Sequence, residues 1–148
     1  MDNKYYLGYH SHSTRTYNTE IEKREQEYLC TIFNGIIICP NKNMRMVKNN
    51  QHYQDIVAKA DCVFVSEYDG FLGKGSFGEC VLALHKKIPV YAIKSNEIEL
   101  WIEKVTDVIQ ISENNLLEFG LLYSKKISMK NLPFIKLTIK KPQTFIAR

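Results

Sequence analysis

The feature that most constrains the fold of this 148-residue chain is the alternation of short apolar runs with amphipathic segments. Residues 36–40, 61–65 and 90–93 are almost continuously apolar, which is typical of strands buried on both faces of a parallel sheet. The segments before and between these runs carry apolar side chains at helical spacing. Such alternation predicts right-handed βαβ crossovers and a sheet covered by helices on both faces.

The pattern predicts five strands, at residues 5–9, 36–40, 61–65, 90–93 and 108–111. It predicts helices at residues 19–33, 53–60, 76–87 and 97–104. We therefore expect an α/β fold of the flavodoxin-like (Rossmann-like) class, with a five-stranded parallel sheet in a single domain. A further helix at 116–122 and a half-exposed strand at 134–140 are expected to follow, the strand at a sheet edge or in a subunit contact.

Composition narrows the class of protein. The chain is 45% hydrophobic and 24% charged, close to the average for soluble globular domains. Its longest uninterrupted apolar stretch, residues 80–84, is far shorter than the about 20 residues of a membrane span, and its first residues do not resemble a signal peptide. We expect a soluble cytoplasmic protein. The net charge of +4 is too small to predict a nucleic-acid partner.

Cysteines and histidines do not form a recognisable metal motif. No C-x-x-C pair occurs, and the apolar surroundings of each cysteine favour reduced core thiols, namely Cys30, Cys39, Cys62 and Cys80. The spacing of His10 and His12 suits zinc only where cysteine or carboxylate partners converge on the pair. The sequence contains no second ligand cluster, so we expect neither a metal nor a cofactor.

A glycine-rich loop, GKGSFGE at residues 73–79, follows the third predicted strand and leads into a helix. Glycines at a helix start let backbone N–H groups approach an anion. The G-x-G-x-x-G match within the loop follows the third strand rather than the first, which argues against a dinucleotide cofactor. Ser76 and Glu79 have the S-x-x-E spacing of a helix capping box. The second interpretation is that Glu79 faces the strand ends as a nucleophile.

A family resemblance supports the second interpretation of Glu79. The segment DIVAKADCVFV at residues 55–65 resembles the signature of the nucleoside 2-deoxyribosyltransferase superfamily, which includes the 2′-deoxynucleoside 5′-monophosphate N-glycosidases. The glycine-rich segment at residues 73–79 and the K-x-P-V at residues 87–90 are also similar to that superfamily. The resemblance covers roughly residues 5–94 and leaves residues 95–148 unmatched.

The resemblance implies that Glu79 attacks C1′ of a 2-deoxyribosyl group, expels the base and forms a covalent glycosyl-enzyme. Asp55 would orient the sugar or protonate the departing base, unless it is an ordinary solvent-facing helix residue. Gly73 stands where transferases of the superfamily have an aspartate, which favours hydrolysis over base exchange. A non-catalytic nucleotide sensor on the same fold and an NAD glycohydrolase are rival functions. The resemblance also implies a homodimer or higher homo-oligomer.

Candidate substrate-binding residues come from the loops at the predicted strand ends. Tyr6 and Tyr9 are candidates to stack on the base, although a tyrosine in a first strand is more often part of the core. Hydroxyl and basic side chains of the first and third loops are candidates to bind a 5′-phosphate, or they are solvated loop residues. The predicted binding set is Tyr6, Gly8, Tyr9, Arg15, Asp69, Lys74, Gly75, Ser76 and Gly78, with the hydroxyls of Ser11, Ser13 and Thr14 as further phosphate candidates.

Overall fold

The computed structural model describes residues 6–40, 50–67, 70–111 and 120–136. Within these ranges the strands are β1 (Tyr6–Ser11), β2 (Gly35–Ile38), β3 (Cys62–Ser66), β4 (Phe71–Leu72), β5 (Val90–Ser95), β6 (Leu100–Gln110) and β7 (Gly120–Lys125). The α-helices are α1 (Glu20–Ile32), α2 (Asn50–Val57) and α3 (Lys74–His85). Two short 3₁₀ helices lie at Thr14–Thr16 and Met129–Asn131.

The seven strands form one mixed sheet in the order β2-β1-β3-β5-β6-β7-β4. The first four strands in this order are parallel. The remaining pairs, β5 with β6, β6 with β7 and β7 with β4, are antiparallel. The predicted α/β class is therefore confirmed. The prediction of a fifth parallel strand is wrong, because residues 108–110 belong to β6, which runs antiparallel to β5.

Two apolar layers cover the parallel strands. Every residue of β3 is buried, as the continuous apolar run predicts. Alternate residues of β3 point to opposite faces, so Val63 and Val65 pack with α2 and α3, whereas Phe64 packs with α1. Because β1 lies between β2 and β3, the chain turns to opposite sides after β1 and after β2. The carboxyl end of β1 is thus the point at which doubly wound sheets open a crevice.

The helix predicted at residues 97–104 is wrong, since residues 97–99 form a turn and residues 100–104 begin β6. The backbone of Asn96 and Glu99 closes a tight turn in which the Asn96 side chain accepts the N–H groups of Ile98 and Glu99, both at 2.8 Å. This turn pairs Ser95 with Leu100 and sends β6 back along β5. The side-chain bonds of Asn96 would also suit a helix N-cap, so the hairpin is defined by the Asn96 N–H, which donates to the later Glu99 carbonyl at 3.0 Å, and by the pairing of Ser95 with Leu100.

The helix predicted at 116–122 is also wrong in its second half, since β7 begins at Gly120. A side chain at Gly120 would place its Cβ 2.2 Å from the ring of Phe77, so the glycine lets α3 pack closely against β7. Residues 116–119 lie outside the described residues, as do residues 137–140 of the predicted last strand. Of that strand, Ile135 is buried and forms an antiparallel bridge with Phe33.

None of the helices in the described ranges combines the length and the apolar character that crossing a bilayer requires.

Candidate functional site

A carboxylate held by two hydroxyl groups lies between β1 and α3. The Tyr9 hydroxyl donates to Oε2 of Glu79 at 2.9 Å, and the Ser11 hydroxyl donates to Oε1 at 2.6 Å. Each oxygen of the carboxylate therefore accepts one O–H group. Hydrogen bonds from neutral donors to an ionised carboxylate are short and strong, and they fix the orientation of the acceptor.

The local sequence explains this convergence. Tyr9 and Ser11 are two residues apart on β1, so their side chains project from the same face of the strand. That face packs against α3, which carries Glu79 in its second turn. The Tyr9 residue is only 1% exposed, and its burial leaves the hydroxyl directed at the carboxylate. The sequence suggests Ser11 as a phosphate ligand, whereas its period-two spacing from Tyr9 is the signal that pairs it with Glu79.

Burial dominates the electrostatics of this group. It raises the pKa of the Glu79 carboxyl above its ordinary value, while the hydrogen bonds from Ser11 and Tyr9 oppose that rise. Burial, with the charge of Glu79 beside it, also raises the pKa of the Tyr9 phenol, which keeps this hydroxyl protonated as a donor. The site thus combines a basic carboxylate with two donors that favour its ionised form.

The capping-box interpretation of Ser76 and Glu79 is wrong. Helix α3 begins at Lys74 with Gly73 as its N-cap, and none of the described side chains caps it. Ser76 lies inside the first turn, so its hydroxyl cannot serve as the N-cap acceptor, and Glu79 is too far along the helix to reach back to the cap. The N–H of Phe77 already donates to the Gly73 carbonyl inside the helix. Only the N–H groups before Phe77, in the first turn, therefore stay available to bind an anion.

A cleft of about 550 Å³ runs along α3 and includes Glu79 in its lining. The predicted residues Lys74, Gly75 and Gly78 also line it, as does Gln54 of α2. The Ser76 residue is 4% exposed, and its Oγ has no hydrogen-bond partner among the described residues. In the described structure, the first turn of α3 therefore carries a cation, backbone N–H groups without a side-chain cap and a buried hydroxyl, one turn before Glu79.

Further aromatic side chains border the carboxylate. Tyr17 packs on the ring of His12 at a centroid distance of 4.8 Å. Burial and the charge of Glu79 raise the pKa of Tyr17 to about 12. Tyr53 of α2 contributes to the raised pKa values of both Tyr9 and Tyr17, so the three phenols share one neighbourhood. Sequence reasoning misses Tyr17 and Tyr53, which lie in a loop and on a helix without a distinguishing motif.

Two predicted site residues lie on the other face of the sheet, and two more are exposed. Tyr6 packs edge-on against Phe134 at 6.2 Å, on the α1 side of the sheet. Gly8 lies on the same side, since a Cβ there would meet the rings of Phe33 and Phe64. Arg15 is exposed in the first 3₁₀ helix, and Asp55 is exposed on α2 next to Gln54. Asp69 lies outside the described residues.

The opposite face of β1 carries a second polar cluster. His10 Nε2 contacts Glu25 Oε1 at 3.1 Å, and Glu25 Oε2 accepts the hydroxyl of Ser66 at 2.9 Å. His12 Nε2 contacts Glu22 Oε2 at 2.7 Å. All five of these residues are buried. The sequence points to the two histidines but not to the carboxylates, which an amphipathic helix ordinarily exposes to solvent.

Comparisons of the chain with protein families, with curated proteins and with solved structures found no match.

Proposed function

We propose that the protein hydrolyses the N-glycosidic bond of 2′-deoxyribonucleoside 5′-monophosphates or deoxyribonucleosides, with Glu79 as the nucleophile. The observation that carries this proposal is the Glu79 carboxylate, which is partly buried, lines a cleft and accepts one hydroxyl on each oxygen. Within the described part of the chain this carboxylate neither caps α3 nor pairs with a cation, so its burial is costly. A nucleophile is a role that justifies the cost.

In the proposed first step, a Glu79 oxygen bonds to C1′ as the bond from C1′ to the base nitrogen breaks. The electron pair of that bond leaves with the base, which takes a proton, and a covalent deoxyribosyl ester remains on Glu79. Water then attacks C1′, releases the sugar and restores the carboxylate, as in retaining glycosidases. The raised pKa makes the carboxylate more nucleophilic, while Tyr9 and Ser11 hold it ionised and oriented.

Asp55 is the proposed proton donor to the departing base. It is exposed on α2, adjacent in sequence to Gln54, which lines the cleft. Lys74 and the first turn of α3 are proposed to bind the 5′-phosphate, because an anion in the cleft would meet a cation and backbone N–H groups there, whereas the predicted ligand Ser76 is buried and does not line the cleft. The aromatic rings of Tyr17 and Tyr53 are proposed to contact the base and form the sides of its binding site.

The decisive experiment is incubation of wild type and Glu79→Gln with a panel of deoxynucleosides and their monophosphates, followed by chromatography for free base. We expect base release by wild type and none by the glutamine variant, because an amide retains the shape of the side chain but cannot attack C1′. The matched control is Glu20→Gln, a change at an exposed carboxylate of α1, which should leave turnover unchanged. Release by Glu79→Gln at the wild-type rate would remove the nucleophile assignment.

Two further arms separate the related activities. Adding a second free base tests exchange, since a transferase would form a new deoxynucleoside from it whereas a hydrolase would release the sugar. Nucleotide binding in wild type without base release would replace the glycosidase by a nucleotide sensor. Release of nicotinamide from NAD in preference to base from deoxynucleotides would identify a glycohydrolase of that dinucleotide.

A further inference from the structure

We propose that His10, His12 and Cys39 form a binding site for a divalent transition-metal ion, with Zn²⁺ as the best fit. One ring nitrogen of each histidine and the Cys39 Sγ lie within 4.8 Å of one another. Two imidazoles and a thiolate are a donor set that Zn²⁺ prefers. Tetrahedral Zn²⁺, with bonds of about 2.1 Å to nitrogen and 2.3 Å to sulfur, separates its ligand atoms by roughly 3.4–3.6 Å, so the three atoms would move closer together to bind the ion and would leave its fourth position open.

The sheet itself brings the three ligands together. His10 and His12 project from one face of β1 and its extension, since they are two residues apart. The parallel register pairs Tyr9 of β1 with Ile38 of β2, and His10 and Cys39 are the next residues along these two strands. The cysteine that the His-x-His spacing lacks in the sequence thus comes from the end of the neighbouring strand.

Each proposed ligand also contacts a side chain of α1 that would orient it. Glu25 bonds to His10, Glu22 bonds to His12, and the Gln26 amide donates to the sulfur of Cys39. These three residues of α1 are spaced i, i+3 and i+4, so they share one helical face. Carboxylates that accept one ring N–H of a histidine are the usual outer partners of metal ligands, because they fix the tautomer that presents the other nitrogen.

His10 has a ring nitrogen that points to a missing partner. The residue is fully buried, its Nε2 is engaged by Glu25, and its Nδ1 has no hydrogen-bond partner among the described residues. Buried polar atoms in folded proteins are almost always satisfied, so an unsatisfied one calls for a partner that the side chains do not provide. A metal ion at Nδ1 would be such a partner, because coordination uses the same lone pair.

Charge provides an independent argument. Glu22 and Glu25 place two buried carboxylates beside the rings. A dication bound between the rings would supply positive charge to balance these carboxylates.

The rings must reorient slightly to share one ion. They are stacked, with centroids 4.2 Å apart and planes 7° apart, whereas a shared ion lies near the plane of each ring. His12 is the ring that would turn, because its Nδ1 faces the His10 carbonyl at 3.2 Å, a long contact between two acceptors when Nε2 carries the proton. Metal binding would also deprotonate the Cys39 thiol and release its proton to solvent.

The test is Co²⁺ titration of the 148-residue chain after treatment with a chelator. We expect one Co²⁺ per chain, visible as ligand-field bands and a thiolate charge-transfer band, with Zn²⁺ displacing it. Cys39→Ser should abolish the charge-transfer band, whereas Cys30→Ser, at the exposed cysteine, should keep it. Glu25→Gln should weaken Co²⁺ binding by roughly 10- to 100-fold, as loss of an outer partner typically does.

Folding of each variant is checked by circular dichroism before titration. If Cys39→Ser does not fold, Cys39→Ala and the chelator sensitivity of the wild-type melting temperature take its place, with Zn²⁺ expected to restore a lowered Tm. Substoichiometric Co²⁺ binding by wild type would overturn the proposal. A thiolate charge-transfer band that persists in the Cys39 variant would also overturn it, as would a wild-type Tm that changes with neither the chelator nor Zn²⁺.

Discussion

Replacing Tyr9 by phenylalanine isolates one of the two hydrogen bonds that hold Glu79. The residue is 1% exposed and its ring stays in the core of the variant, so no cavity forms and only the hydroxyl is lost. A hydrogen bond to a charged group contributes roughly 1.5–3 kcal/mol. We expect Tyr9→Phe to lower the free energy of unfolding by about 2 kcal/mol at a pH where Glu79 is ionised. The pKa of Glu79 should rise further, because a donor that opposed its rise is gone.

The assay is urea unfolding of wild type and variant across a pH series. The stability difference should shrink as the pH falls through the pKa of Glu79, since a bond to a neutral carboxyl contributes only about 0.5–1.5 kcal/mol. Tyr123→Phe, a change at a half-exposed tyrosine of β7, is the matched control and should stay within about 0.5 kcal/mol of wild type. A Tyr9→Phe variant as stable as wild type at every pH would refute the hydrogen-bonded carboxylate.

Three further predictions concern the carboxylates and the start of α3. Because the folded pKa of Glu79 is raised above its ordinary value of 4.5, wild-type stability should fall as the pH rises from that value through the folded pKa. Glu79→Gln should lack this fall in urea unfolding, and a parallel pH profile would contradict the pKa direction. Asp55→Asn should lower kcat for base release by about 100-fold or more through loss of a proton donor, and a wild-type rate would make Asp55 a surface residue. Lys74→Ala should reduce the kcat/KM ratio of deoxynucleotide over deoxynucleoside by about tenfold, and an unchanged ratio would place the phosphate elsewhere.

The parallel half of the fold is predictable because its signal is redundant. The runs at β3 and at residues 90–93 of β5 are apolar and buried, and helical spacing fills the segments between the runs. The run at β2 predicts the strand but not its exposure, since β2 lies at the sheet edge, where Ile36 is exposed. Beyond β5 the signal becomes ambiguous, because residues 97–104 carry apolar side chains at spacings that suit either a helix or a half-buried strand. The turn at residues 96–99 decides between them, because the Asn96 N–H donates to the Glu99 carbonyl, a backbone pairing that the residue pattern does not reveal.

The site is predictable only where a motif marks it. The glycine-rich surroundings single out Glu79, yet they say nothing of its partner Ser11, whose period-two spacing from Tyr9 becomes informative only once Tyr9 is known to face α3. Tyr17 carries no motif at all. The capping box fails for a physical reason, since Gly73 starts the helix three residues earlier and leaves Ser76 inside its first turn.

Both proposals depend on the alternation of side chains at the end of a single strand. Tyr9 and Ser11 face α3 and hold the carboxylate, whereas His10 and His12 face α1 and its carboxylates. Ser11 lies between the two histidines in the sequence. An ion that holds both rings in place would therefore also hold the backbone that directs the Ser11 hydroxyl at Glu79. Loss of the metal should therefore make the position of the Ser11 hydroxyl, which donates to the proposed nucleophile, less fixed, while the residues that line the cleft stay in place. That effect would change kcat more than KM, because substrate contacts stay in place while the orientation of the attacking oxygen does not.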